Sequence, residues 1–231
     1  MRQEGQGKEL HTIEVQSRKT CYGYPEDYWI IDGISVVEYL EKYVKEGRCP
    51  ALSMSASMLG LLPAWSGLLL QKWENDFVWE LIDSPEELNV PILVCEDDCD
   101  LSCIVIVVKI KKTENRVCWE RLGYLDRTNW DRDAECNAGI LCLESYTEED
   151  WQEYGDNIAT ESYGSHEYWA WVGTHGYEEP IRRLRNYMKP YMQKEENIQW
   201  IKEVTWMFER KQYREMVERY REIAAMHLWE T

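Results

Sequence analysis

Few residue constellations in this chain have the types and spacing that a reaction demands. A loop that cradles phosphate needs glycines at set offsets ahead of a helix and a lysine for the phosphates. The 13 glycines here are scattered and form no such loop. The Gly-x-Ser-x-Gly elbow that presents a hydrolase serine is also absent. Ser165 precedes His166, but catalytic serine–histidine pairs are assembled by the fold rather than by adjacency. His166 and His175, with Glu167 between them, are the best set for acid–base or metal chemistry among the four histidines. Their spacing is not one that a metal ion requires. Cys95, Cys99 and Cys103 recur every fourth residue, which departs from the two-residue gap of zinc knuckles. Glu96, Asp97, Asp98 and Asp100 crowd carboxylates together without the loop glycine and distal glutamate of a calcium hand. The reading is therefore no catalytic residue, no metal and no cofactor.

A different kind of constellation is more distinctive. Three segments set tryptophan or tyrosine among carboxylates: Trp73, Glu74 and Asp76; Trp130, Asp131 and Asp133; and Glu148, Glu149, Asp150, Trp151, Glu153 and Tyr154. An aromatic ring offers a large anchor at low entropic cost, and carboxylates around it pair with lysine and arginine of a partner. These twelve residues are the expected partner-binding set.

Composition points the same way. The chain carries 12 Trp and 15 Tyr but only 2 Phe, a bias toward aromatics with one polar end that suits interfaces. Its net charge of −17 is unevenly distributed. From Glu178 onward there are 11 basic and 10 acidic residues, so the body before it carries the whole excess. Between Glu74 and Asp156 alone stand 22 acidic and 7 basic residues. Such a field repels nucleic-acid phosphates and anionic lipid and steers a basic protein inward. The eight cysteines are too sparse for a stapled secreted scaffold, and the first residues lack the shape of a signal peptide. The expected compartment is the cytosol. Cys49–Gln71 is uncharged and long enough to span a bilayer, but it is broken by serines, glycines and Pro63, which suits a buried core segment.

The elements that must position these residues predict an α+β fold. His11–Val15 and Tyr28–Ile31 read as strands, and Asp32-Gly33 turns the chain into a helix capped by Ser35 and Glu38 and stopped at Gly47. Phe77–Ile82 reads as a strand, and Ser84-Pro85-Glu86-Glu87 as a helix start. Val90–Val94, Cys103–Lys112 and Val117–Leu125 form the centre of an antiparallel or mixed sheet, the last two joined by a turn at Thr113–Asn115. Ile140–Leu143 and Tyr168–Val172 are further strand candidates, and Thr147 with Asp150 caps a short helix. Apolar stripes predict helices over Ile181–Tyr187, Ile198–Phe208 and Tyr213–Met226. The whole reads as one domain, with a sheet-bearing body over about 11–175 and a helical subdomain over about 177–230.

The hairpin Cys103–Tyr124, with Trp-Glu-Arg-Leu-Gly-Tyr at Trp119–Tyr124 on its return strand, and the acidic α+β make-up resemble the immunity proteins of bacterial polymorphic-toxin and contact-dependent growth inhibition systems. The resemblance covers that hairpin and the overall character of the chain. It implies a cytosolic protein that neutralises a cognate toxin, often a basic nuclease, by covering its active site, with no catalytic residues of its own. A small cytosolic enzyme using carboxylates with His166 and His175 is the alternative.

Overall fold

The computed structural model describes residues 10–48, 60–140, 146–153, 166, 170 and 173–227. The chain folds into two antiparallel sheets with helices packed around them. The smaller sheet has the order β1 (Ile13–Lys19), β2 (Pro25–Ile31), β3 (Ile34–Ser35). Asp32 (φ +50°) and Gly33 (φ +81°) make the turn out of β2. Ser35 then opens α1 (Val36–Lys45) with the expected capping box, its hydroxyl accepting from the Val37 N–H and its own N–H donating to Glu38.

The larger sheet runs β4 (Leu61–Pro63), β5 (Leu88–Cys95), β6 (Val105–Lys112), β7 (Arg116–Leu125), β8 (Ile198–Glu209). Every residue of β5 is buried, as are Val105–Val108 of β6, so the sheet centre is covered on both faces. This explains why these strands read as continuous apolar runs. Three helices follow the strands in chain order: α2 (Lys72–Asp83) between β4 and β5, and α3 (Arg132–Asn137) and α4 (Glu148–Glu153) after β7. Next comes α5 (Glu178–Arg183), which continues through a π-helical turn (Leu184–Met188) into α6 (Lys189–Gln193). α7 (Arg210–His227) closes the fold.

Three expectations are corrected. Phe77–Ile82 is part of α2, because Glu74, Phe77, Val78, Leu81 and Ile82 are buried at the three-to-four-residue spacing of a helix face. Ser84–Glu87 starts no helix. Ser84 follows the end of α2, its hydroxyl accepts from the Glu86 N–H at 3.2 Å, and the ladder of β5 takes up the chain at Leu88. Ile198–Phe208 is a strand, because β8 pairs with β7 along its length and carries two extra residues, opposite Trp119–Arg121 and Leu122–Gly123. Each bulge inserts a residue into the two-residue alternation, so the buried positions Ile198, Ile201, Trp206 and Phe208 follow one another at three, five and two residues and the regular strand period is lost. The tail is thus built into the main sheet. Of the remaining strand candidates, Ile140–Leu143 lies outside the described residues beyond Ile140, and within Tyr168–Val172 the described residue, Ala170, is helical.

The core is aromatic. Trp29, Trp65, Trp119 and Tyr220 are fully buried and form one cluster, with Trp29 5.1 Å from Trp65, 6.1 Å from Trp119 and 4.7 Å from Tyr220 between ring centroids. Most of these contacts are edge-on, the arrangement that the ring quadrupole favours. The Trp65 indole donates to the Pro91 carbonyl at 2.7 Å and Tyr220 to the Asp27 carbonyl at 2.8 Å, so the small sheet, the main sheet and α7 meet at one cluster. Gly67 (φ +80°) lets the loop after β4 lie against α7, where a Cβ would stand 2.8 Å from the Ala224 Cα. Asn89 pairs with Lys109, one residue out of phase with Leu88, Ile110 and Trp119, and so faces the opposite side of the sheet. There it donates to the Met192 carbonyl at 2.8 Å, which seats α6 on that face.

Candidate functional site

The three acidic–aromatic segments come to one structural spine, the helical rod made by α5, the π-turn and α6. On α2, Asp76 accepts from Tyr177 at 2.6 Å just ahead of α5, and Glu80 pairs with Arg185. Trp130, ahead of α3, packs edge-on against Tyr187 at 4.7 Å and Tyr191 at 4.8 Å. The Asp131 N–H donates to the Tyr187 hydroxyl at 2.6 Å. On α4, Asp150 holds the Arg182 guanidinium in a two-pronged contact at 2.6 and 2.8 Å. The sequence reading missed the rod residues Tyr177, Arg182, Arg185, Tyr187 and Tyr191. Their signal was the run of arginines and tyrosines opening a near-neutral tail beside so acidic a body.

Much of the expected binding face is used internally. Glu74 is only 8% exposed: one carboxylate oxygen accepts from the Leu101 N–H at 3.1 Å, and the other has no hydrogen-bond partner among the described residues. Burial pushes its pKa up to about 7. Glu74 is therefore a core residue and not a contact for a partner. Trp73 is half-buried against the core, and Asp76 is occupied by Lys72 and Tyr177. In the second segment Trp130 is half-buried, donates to Glu135 at 2.9 Å and lies 4.3 Å beneath the Arg127 guanidinium. Asp131 caps α3 by accepting from the Ala134 N–H at 3.0 Å. It also lines a cleft of about 380 Å³ between α3 and α6, together with Tyr187, Tyr191, Lys194 and Glu196.

The third segment keeps its surface character. Thr147 and Asp150 form the expected reciprocal cap of α4, at 2.7 Å and 3.2 Å. Arg182, with the Thr147 hydroxyl and N–H, holds the Asp150 carboxyl down at about 2. This bracing leaves Trp151 42% exposed, with Tyr146 at 5.1 Å edge-on beneath it. Glu148, Glu149 and Glu153 around it are exposed, as is Asp133 on α3, and none of the four is in an ion pair among the described residues. α3 and α4 dock on neighbouring positions of α5: Cys136 lies 3.6 Å from the Arg183 guanidinium, and Asp150 holds Arg182. Tyr154 lies outside the described residues.

The histidine set falls elsewhere. His166 is exposed, His175 sits with its Nδ1 2.9 Å from the Thr174 hydroxyl, and Glu167 is outside the described residues. A cleft of about 800 Å³ beside α1, β2 and β4 is lined by Lys19, Cys21, Tyr28 and Glu41 among others, and by neither histidine. No helix among the described residues is long and apolar enough to cross a membrane. Compared with protein-family models, curated proteins and solved structures, the chain matches none.

Proposed function

We propose that this chain is a protein-binding module that captures a basic protein, and that it serves as an immunity protein neutralising a cognate toxin by direct binding. The observation that carries this reading is the α4 surface. Glu148, Glu149 and Glu153 are exposed beside an exposed tryptophan on a braced helix, Asp133 is exposed on α3, and none of the four is in an ion pair among the described residues. A ring ready to be buried, flanked by exposed carboxylates, suits a partner rich in lysine and arginine. The cleft lined by Asp131, Tyr187 and Glu196 has, at about 380 Å³, room for one such side chain. In this reading the protein acts in the cytosol, binds no nucleic acid directly and needs no cofactor.

The test is expression beside the toxin encoded next to its gene. The protein should restore growth and bind the toxin with an affinity that falls as salt rises. Trp151→Ala should weaken binding by about thirtyfold, the size of a 2 kcal/mol hot spot, and the pair Glu148→Lys, Glu149→Lys should mainly slow association. Binding unchanged by these variants in folded protein, or no toxin at that locus, overturns the proposal.

A further inference from the structure

The β5–β6 connection assembles a cluster that the cysteine spacing did not announce. Cys95 ends β5 fully buried, and its N–H donates to the Ile104 carbonyl at 3.1 Å, so Cys103 lies beside it across the hairpin. Between them the chain coils tightly: the Cys99 N–H donates to the Cys95 carbonyl at 2.9 Å, and Cys99 takes a positive φ of 48°. This coil swings Asp98 back over the strand ends. The Cys95 and Cys103 sulfurs and an Asp98 carboxylate oxygen then all lie within 4.8 Å of one another. Cys99 is turned away, its thiol donating to the Glu96 carbonyl at 3.1 Å.

We propose that Cys95, Asp98 and Cys103 bind a single thiophilic divalent cation, Zn²⁺, with water in the fourth position. Two thiolates and one carboxylate suit zinc and are poor ligands for Ca²⁺ or Mg²⁺, which take oxygen alone. Tetrahedral bonds of about 2.0–2.3 Å put ligand atoms about 3.3–3.8 Å apart, so closure requires movements of about an ångström, and Asp98 is exposed and free to make them. Binding converts two thiols to thiolates and releases two protons for each ion held. The loop is also tied to the β1–β2 hairpin, since Cys21 donates to Glu96 at 3.1 Å and Tyr22 donates to Asp97. An ion here would clamp the corner where the two sheets meet.

The experiment is titration of the full-length, reduced, metal-free protein with Co²⁺ and then Zn²⁺. One equivalent of Co²⁺ should bind with a sulfur-to-cobalt charge-transfer band that Zn²⁺ displaces. At a hundredfold excess of Zn²⁺ over its Kd, Tm should rise by about 5–10 °C. Cys103→Ser should abolish the band, Asp98→Ala on its exposed loop should weaken affinity by about tenfold or more, and Cys118→Ser should change neither. Reduced, folded protein that shows no charge-transfer band overturns the proposal. So does binding that survives both Cys103→Ser and Asp98→Ala.

Discussion

Glu74 shows how one residue can change meaning between sequence and structure. In the sequence it stands with Trp73 and Asp76 and reads as part of an acidic binding face. In the fold it points inward, with a carboxyl that titrates at about 7 against an ordinary 4.5 because burial penalises its charge. A carboxyl whose pKa is higher folded than unfolded gives stability that is fully present below pH 4.5 and lost as pH rises through 7. The loss is about 3 kcal/mol over that window. Glu74→Gln should therefore match the wild type near pH 4 and exceed it by about 2 kcal/mol at pH 8, as read by denaturant unfolding at both pH values. A flat pH dependence in the wild type between 5 and 8 would contradict this. Trp151 makes the opposite point, since it stands in a similar aromatic–acidic context and is exposed in the fold. The difference lies in helix phase. Glu74 falls on the buried stripe of α2 with Phe77 and Val78, whereas α4 has no buried residue among its six.

Among the elements, α4 and β8 carry the sharpest consequences. α4 is too short to hold itself, so the Asp150–Arg182 contact, with side chains 17% and 14% exposed, does that work. Arg182→Ala should cost about 1–3 kcal/mol. It should also remove an acid-range step. The Asp150 carboxyl titrates lower in the folded state than in the unfolded, so its stabilisation is present above about pH 4 and lost as pH falls toward 2. Unfolding curves of wild type and variant should therefore converge in acid. In β8, Thr205 sits at φ +51°, a conformation that a β-branched side chain resists. Thr205→Gly should raise stability by about 1 kcal/mol, and a loss of similar size would show that the threonine is not strained there. The same bulges hid the strand in the sequence. A bulge is a local departure that pairing with β7 enforces, and nothing in Ile198–Phe208 alone separates a twice-bulged strand from an amphipathic helix. The hairpin β6–β7 was legible because its apolar run, turn residues and returning strand are all local.

At the scale of the molecule, the tryptophans and the charges obey different rules. Of the described tryptophans, Trp29, Trp65, Trp119 and Trp206 are buried, Trp73, Trp79, Trp130 and Trp200 are half-buried, and Trp151 is exposed. Among the described residues, most of the tryptophan goes into or against the core. Trp29 bridges the small sheet to the large one and to α7, so Trp29→Ala should cost about 3–5 kcal/mol. Both sheets should still unfold in one transition, with near-ultraviolet and far-ultraviolet circular dichroism coinciding. Two separate transitions would show that the sheets fold independently. The acidic excess is partly spent inside the molecule, because the arginines of the α5–α6 rod answer carboxylates of α2 and α4. By itself the sequence determined the α+β class, the capped first helix, the central hairpin and the acidic asymmetry, since each follows from local periodicity, capping chemistry or a simple count. Only the tertiary structure decided which carboxylates stay exposed, that the tail closes the sheet as a strand, and that strand register sets Cys95 against Cys103 with Asp98 folded back beside them. Those outcomes depend on strand register, helix phase and long-range packing, which no local window of residues contains.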